Sequence, residues 1–396
     1  MKINKKINKI YILAFLFSLH ISISAYVNST FLSEIVGEKY VGILYAISSF
    51  LILLLLSRSS YILGKIGNRK FVFILLLINM IAILGLITSP IPYIVSIAFI
   101  LFQTTNTLVF FSLDIFIEHF EGKGVVGKSR GLYLTINNLA WILSPILTGF
   151  LISQAGGYKT IYTIALVAVI IMLVGLILSI KRFKDTKYTR KPFFDTYRFL
   201  EKNTHIFAIN MIFFVLQFFY VWMIIYTPIY LNEHIGLGWE KIGIIFTIML
   251  LPFLLVSIPV GILIDKYNFS KRKILFLGIC VAALATMSIP FIHKGAWIYA
   301  WAIALFFTRV GASIIETTSE IYFFSHVKEE DSNLLSFFRD MSPLAYLVGP
   351  LLGTAILSFI NIRYMFFVLG SILLCALYYI PRLKHNHKYE IPNPNK

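Results

Sequence analysis

Stretches of about 20 mainly apolar residues recur along the whole chain, and each is long enough to cross the hydrocarbon core of a bilayer as a helix. Twelve can be read, at 9–31, 40–62, 71–89, 92–118, 131–153, 158–180, 205–231, 240–264, 273–292, 296–324, 334–358 and 362–381. Lipid offers no partner to a backbone N–H or C=O, so such stretches must be helices that satisfy themselves. Composition agrees. Of 396 residues, 58% are hydrophobic and 13% are charged, whereas a soluble domain is nearer half apolar and a quarter charged. The expected fold is an all-α integral membrane protein of twelve transmembrane helices, with the lipid bilayer as its main surroundings.

Charge placement orients the spans. The net charge of +17 does not point to nucleic acid, because the basic residues lie in short connections between apolar spans. With both termini in the cytoplasm, the inner segments carry 29 Lys and Arg, the outer loops carry 5, and Arg309 lies inside a span. This asymmetry is the one that sets topology in membranes, and it predicts a multi-pass protein of the cell membrane with cytoplasmic termini. A rival reading takes the first span as a cleaved signal peptide, with basic Met1–Lys9 and small residues from Ser22 to Ala25. That reading leaves eleven spans and a free outer end, which fits the charge pattern less well. Cys280 and Cys375 both fall in spans, so no disulfide framework is expected.

The chain also repeats itself. Phe31-Leu32-Ser33-Glu34 and Gly37 match Tyr230-Leu231-Asn232-Glu233 and Gly236 at an offset of 199. Gly42-Ile43 matches Gly243-Ile244 at 201, Arg69-Lys70 matches Arg272-Lys273 at 203, and Leu139-Ala140-Trp141 with Pro145 matches Leu344-Ala345-Tyr346 with Pro350 at 205. The offset drifts one way, as small insertions would make it. Equivalent spans keep one membrane orientation, so the repeat is parallel. The longest connection separates the copies. The expected domains are a six-helix bundle over 1–180, a linker over 181–204, and a second six-helix bundle with a short tail over 205–396.

The loop between spans 8 and 9 reads Gly261-Ile-Leu-Ile-Asp265-Lys266, followed by Lys271-Arg272-Lys273. It resembles the signature loop of the major facilitator superfamily. The equivalent first-half loop is degraded, with Ser60 and Gly64 at the Gly and Asp positions, though Gly67, Arg69 and Lys70 remain. Tyr226-Thr-Pro228 and Gly349-Pro350-Leu-Leu-Gly353 are similar to the family too. The resemblance implies two pseudo-symmetric six-helix bundles and secondary transport by alternating access. Gly261 is expected to let two helices approach closely, and Asp265 to cap a neighbouring helix N-terminus. Asp114 and Glu320 end spans 4 and 10, beside Arg69 and Arg272 respectively. The four, with Gly261 and Asp265, are the expected gating residues, and interface charges that merely orient helices are the plainer alternative.

Residues Gly122-Lys-Gly-Val-Val-Gly127-Lys128-Ser129 match the phosphate-loop pattern letter for letter. That motif needs a strand before it and an α/β nucleotide domain around it, and a loop of about a dozen residues has room for neither. An ATP-driven pump is therefore not expected.

Ionisable and amide groups at membrane depth mark cavities or partners. In the resembled family, spans 1, 4, 7 and 10 line the cavity. At about 1.5 Å rise per residue, His20 of span 1, Gln103 and Asn106 of span 4, Gln217 and Tyr220 of span 7, and Arg309 of span 10 lie near one depth. With Glu316, two turns past Arg309, they are the expected substrate-binding residues. Arg309 stays charged, so it either meets an anion in an aqueous cavity or pairs with Glu316. His20 is either a packing histidine or a proton-linked one. The expected partners are a small solute, anionic or polar, and a coupling ion, with protons first among them. Lipophilic drug efflux is the alternative within the class. A receptor or intramembrane enzyme is the alternative outside it, but no sensing domain or nucleophile with its base can be read. No enzyme activity, cofactor, metal or nucleic-acid partner is expected, and a monomer is.

Overall fold

The computed structural model describes residues 5–120, 126–154, 156–179, 203–327 and 332–384. For 5–10, 60, 117–120, 126–138, 179, 265, 332–333 and 335–336 the description is of the backbone alone. Among the described residues every regular element is a helix. In the first half, span 1 is Lys5–Ala25 with Asn28–Val36, span 2 is Glu38–Ser57, and span 3 is Asn68–Thr88. Pro92–Phe120, Val126–Gln154 and Tyr158–Ser179 are spans 4 to 6. In the second half, span 7 is Thr204–Ile229 with a wide turn at Tyr230–His234. Span 8 runs from Trp239 to Asp265, and span 9 is Lys271–Ser288. Ile298–Phe324, Ser332–Leu357 and Ile362–Cys375 are spans 10 to 12. Ten of these helices are long and apolar enough to cross a membrane unaided, and the bent pair of span 1 makes an eleventh. The described apolar part of span 5 is the shorter Leu139–Gln154.

Spans 1 and 8 are broken within runs the sequence reads as continuous, and span 2 is interrupted at Arg58. Span 1 bends by 44° between Ala25 and Asn28. The Ile23 carbonyl there accepts a hydrogen bond from Thr148 Oγ1 of span 5 at 2.8 Å. A side chain inserted into the helix ladder is a recognised cause of such kinks. Span 8 is interrupted around Pro252, which lacks the N–H the ladder needs. Span 6 shows why the surroundings are lipid. It exposes Val167, Ile171, Val174 and Leu178, one full stripe at helical spacing, where a helix facing water would place polar residues.

The chain folds as two compact units. One comprises Met1–Arg190, Tyr220–Ile248 and Pro343–Met365, and the other Lys191–Phe219, Met249–Ser342 and Phe366–Lys396. In the first unit, span 1 packs along spans 5 and 6, and span 3 along spans 4 and 6. The end of span 7, the start of span 8 and part of span 11 belong to this unit. They dock onto it through residues matched by the repeat. A Cβ at Gly42 would lie 2.6 Å from the Pro350 carbonyl, and one at Gly243 would lie 2.6 Å from the Pro145 carbonyl. Gly42 is the repeat partner of Gly243, and Pro145 that of Pro350, so one close helix contact occurs twice. At the same end Ser33 Oγ donates to Glu233 at 3.1 Å, Tyr158 donates to Glu34 at 2.7 Å, and His234 pairs with Glu38 at 3.1 Å. In the second unit, span 9 packs along span 10, and Val260, Ile264, Ile274 and Ile314 form a buried cluster where span 8 joins them.

Candidate functional site

In the first unit the polar residues of spans 1 and 4 meet. His20 is almost wholly buried, with Phe17 stacked on its ring and Phe102 edge-on to it. Its Nδ1 lies 3.1 Å from the Ala165 carbonyl, and its Nε2 lies 3.1 Å from Asn106 Oδ1. Asn79 of span 3 donates to the same Asn106 oxygen at 2.8 Å and to Thr105 Oγ1 at 2.8 Å. Thr105 in turn donates to the Leu101 carbonyl one turn back. Each such bond adds about 1 kcal/mol net, and breaking one strands a buried polar group at greater cost. Gln103 lies one turn before Asn106 and is half-buried.

Span 10 carries the second constellation. Arg309 is 1% exposed and its guanidinium carbon sits 5.0 Å from the centre of the Phe219 ring of span 7. A centrally placed Arg costs about 3 kcal/mol on insertion scales. A desolvated cation–π contact returns about 2 kcal/mol or more of that cost. Gln217 and Tyr220 flank Phe219 in span 7 and are half-buried, as is Glu316 further along span 10. Of the residues expected at one depth, the structure thus joins His20 to Asn106 in one unit and sets Arg309 over Phe219 in the other.

The elements that carry the expected gating residues meet within each half. Asn68 Nδ2 donates to the Ser112 carbonyl at 3.0 Å, which holds the start of span 3, with Arg69, against the stretch of span 4 that carries Asp114. Both Arg69 and Asp114 are half-buried. In the second half, Lys271 Nζ donates to Ser325 Oγ at 3.1 Å, so Arg272 at the start of span 9 lies by the end of span 10. Arg272 is half-buried and Glu320 is exposed. Asp265 ends a helix, but its side chain lies outside the described residues. For Gly261 the expectation of a close helix approach is corrected: among the described residues a Cβ there would meet nothing within 4 Å. Close approaches occur at other glycines, among them Gly42, Gly243 and Gly311, where backbone atoms of neighbouring helices leave no room for a Cβ. Residues 122–125 of the phosphate-loop pattern lie outside the described residues. Helix Pro92–Phe120 precedes them and helix Val126–Gln154 follows, so the strand that motif requires is not what leads into it.

Sequence reasoning missed Asn79, the Ala165 carbonyl and Phe219. Asn79 left a signal as an amide in an otherwise apolar stretch, but span 3 was not expected near the site. Phe219 left little, as one of 36 phenylalanines. Among the described residues, no group of three His, Cys, Asp or Glu is arranged to hold a metal ion.

Solved structures share this fold. A bacterial homologue of the iron transporter ferroportin in an inward-facing state superposes with a TM-score of 0.76 at 15% identity, over 96% of this chain and 99% of that one. An auto-inhibited POT family peptide transporter gives 0.78 at 10%, over 98% of each chain. The nucleoside transporter NupG, solved as a point mutant, gives 0.74 at 9%, over 96% of this chain and 100% of that one. Among curated proteins no sequence matches this one. The sequence profile of the Major Facilitator Superfamily matches residues 10–332 and, overlapping them, 228–395. Twelve helical spans, a parallel internal repeat and a profile match along nearly the whole chain establish a transporter-type membrane protein, and the chain belongs to the major facilitator superfamily.

Proposed function

We propose that the chain is a secondary active transporter that moves a small anionic or neutral polar solute across the cell membrane by alternating access, with proton coupling and with both termini cytoplasmic. The two repeat halves, 1–180 and 205–396, are the bodies that move, joined by the linker 181–204. The observation that carries the solute class is Arg309, fully buried near the middle of span 10 against an aromatic ring. A permanent cation at that depth favours an anion or a polar group that can accept its hydrogen bonds. Gln217, Tyr220 and Glu316 supply further polar contacts in the second half, and Gln103 does so in the first.

His20 supports the coupling ion. Both of its ring nitrogens face oxygen atoms, and a neutral imidazole has only one N–H to give. With Asn106 turned as it is, held by the bond from Asn79, the ring satisfies both acceptors when it carries a second proton. A neutral ring suits the same network once the Asn106 and Asn79 amides turn over and Thr105 turns its O–H from the Leu101 carbonyl to Asn79, so that Asn106 donates to Nε2. Protonation and the amide pair therefore switch together. The fold neighbours carry iron, peptides or nucleosides by their names, and that spread assigns no solute to this chain. The test is uptake into proteoliposomes from a panel of anionic, neutral and cationic solutes, with and without an imposed proton gradient. Accumulation of an anionic or polar solute that needs the gradient supports the reading. Gradient-independent leak, or accumulation of lipophilic cations alone, contradicts it.

A further inference from the structure

Spans 9 and 10 pack side by side and touch closely along one stretch. A Cβ at Gly311 would lie 2.5 Å from the Gly278 carbonyl, and one at Gly278 would lie 2.8 Å from Ile314 Cγ2. Towards the 292–297 connection the two helices carry alanine, Ala285 on span 9 and Ala300 and Ala304 on span 10. Small residues ordinarily let helices close up in a bilayer. Here the spans stay apart, and a groove of about 490 Å³ lies between them, lined by these three alanines. Leu284, Phe291 and Phe307 also line it and are exposed. Its polar side chain, Ser288, donates to the Ala285 carbonyl of its own helix at 2.7 Å, so the lining offers no unmet donor. From Leu284 to Phe291 the groove runs about 10 Å along span 9, much of the roughly 15 Å of hydrocarbon in one leaflet. A hollow of this size left empty would deprive its lining of packing partners. A linear acyl chain has the shape and the chemistry to fill it.

One end of the groove is charged. Phe291 and Ile292 line it and lead directly into His293 and Lys294, both exposed. From Lys266 to Ile315 the chain contains no Asp or Glu. Glu316, the first acid of span 10, lies about 24 Å along the helix from Ala300. Span 12 packs on span 9, where a Cβ at Gly370 would lie 2.5 Å from Met287 Cγ, and residues 362–381 contain no acid either. The helices that frame the groove therefore bring no carboxylate to Lys294. Trp297 and Tyr299 follow it, both exposed, with ring centroids 4.5 Å apart. Exposed Trp and Tyr at the end of a span mark the headgroup level of a bilayer.

We propose that the groove between spans 9 and 10 holds one acyl chain of an anionic phospholipid, whose headgroup phosphate rests against Lys294 and His293. The apolar lining accepts the chain, and the ammonium favours a headgroup of net negative charge. The site is separate from the residues assigned to solute. The test puts a photoreactive amino acid in place of Phe307, in the groove, or in place of Ile258, exposed on span 8. The full-length protein is held in bilayers of equimolar phosphatidylglycerol and phosphatidylcholine, and the captured lipid is identified by its mass. Capture at 258 should follow the composition of the bilayer, and capture at 307 should favour phosphatidylglycerol about fivefold. Lys294→Gln should return capture at 307 to the bilayer ratio. Lys65→Gln, which removes an exposed lysine elsewhere, should keep the preference. Ala304→Leu or Ala300→Leu fills the hollow and should cut capture of either lipid at 307. Equal capture of the two lipids at 307, a preference as large at 258, a preference that survives Lys294→Gln, or capture of a second copy of the chain overturns the proposal.

Discussion

Continuing the offsets of the internal repeat pairs Asn106 with Arg309 at 203 and His20 with Phe219 at 199. In the first half these positions hold a histidine hydrogen-bonded to an amide. In the second they hold an arginine over a phenylalanine ring. The partners are the same two spans at the same two positions, and only the chemistry has changed. At two other matched pairs the repeat has not changed. Gly42 and Gly243 each press against the carbonyl of the other half's proline, Pro350 and Pro145, at the same 2.6 Å from a would-be Cβ. Gly37 and Gly236 each adopt a positive φ, 89° and 81°, at equivalent turns. The halves therefore keep in common what docks helices and differ at the buried polar positions proposed to meet solute and protons. A docking contact must be alike on both sides of a pseudo-two-fold axis, whereas one asymmetric solute needs two different faces.

The largest expected effect comes from Arg309→Gln. Losing a buried charged contact to solute costs about 2–5 kcal/mol, so uptake affinity should fall on the order of 100-fold with membrane insertion retained. The two docking glycines come next and sharpen the comparison, because their effects should be equal. Gly42→Ala or Gly243→Ala forces a Cβ against a carbonyl, an overpacking cost of about 1–3 kcal/mol. Each should shift the conformational equilibrium away from closure of that end by about tenfold, as read by double electron–electron distances between spin labels on spans 2 and 11, or 5 and 8. A strong effect at one glycine and none at the other would break the symmetry argument. His20→Gln should leave gradient-free exchange within a few-fold of wild type and abolish the dependence of uptake on the proton gradient, because glutamine keeps hydrogen bonding but takes up no proton. Undiminished proton dependence would remove His20 from the coupling. The smallest effect is expected from His234→Gln. It removes a partly exposed ion pair with Glu38 of about 0–1 kcal/mol, so the same distances should shift less than about fivefold.

Much of this architecture is legible in the sequence because its causes are local. A bilayer imposes a length on every apolar run, and charge in short loops imposes direction, so span number and order follow from residue type alone. The bend in span 1 is different. Its apolar run is unbroken, and the cause is Thr148, a side chain more than a hundred positions away that takes the Ile23 carbonyl. The repeat identifies Gly42 with Gly243 and Pro145 with Pro350, yet it says only that they are alike, not that the glycine of one half meets the proline of the other. At the candidate site, His20, Asn106 and Arg309 stand out because polar groups are rare in lipid. Asn79 was as visible but sits on a span expected elsewhere, and Phe219 is hidden because its role is to be an aromatic face for one cation. Gly261 carried a family signature whose packing consequence the structure does not show.

The claim that Arg309 meets solute rather than serving only to neutralise Glu316 is tested most directly by equilibrium solute binding to the purified Arg309→Gln/Glu316→Gln protein, beside the Arg309→Gln single variant. If Arg309 binds solute, removing both charges restores stability to that of wild type, since no unpaired buried charge remains, and binding of the anionic or polar solute stays lost. If Arg309 and Glu316 are only a structural pair, the double variant recovers wild-type solute affinity, and that result would contradict the account.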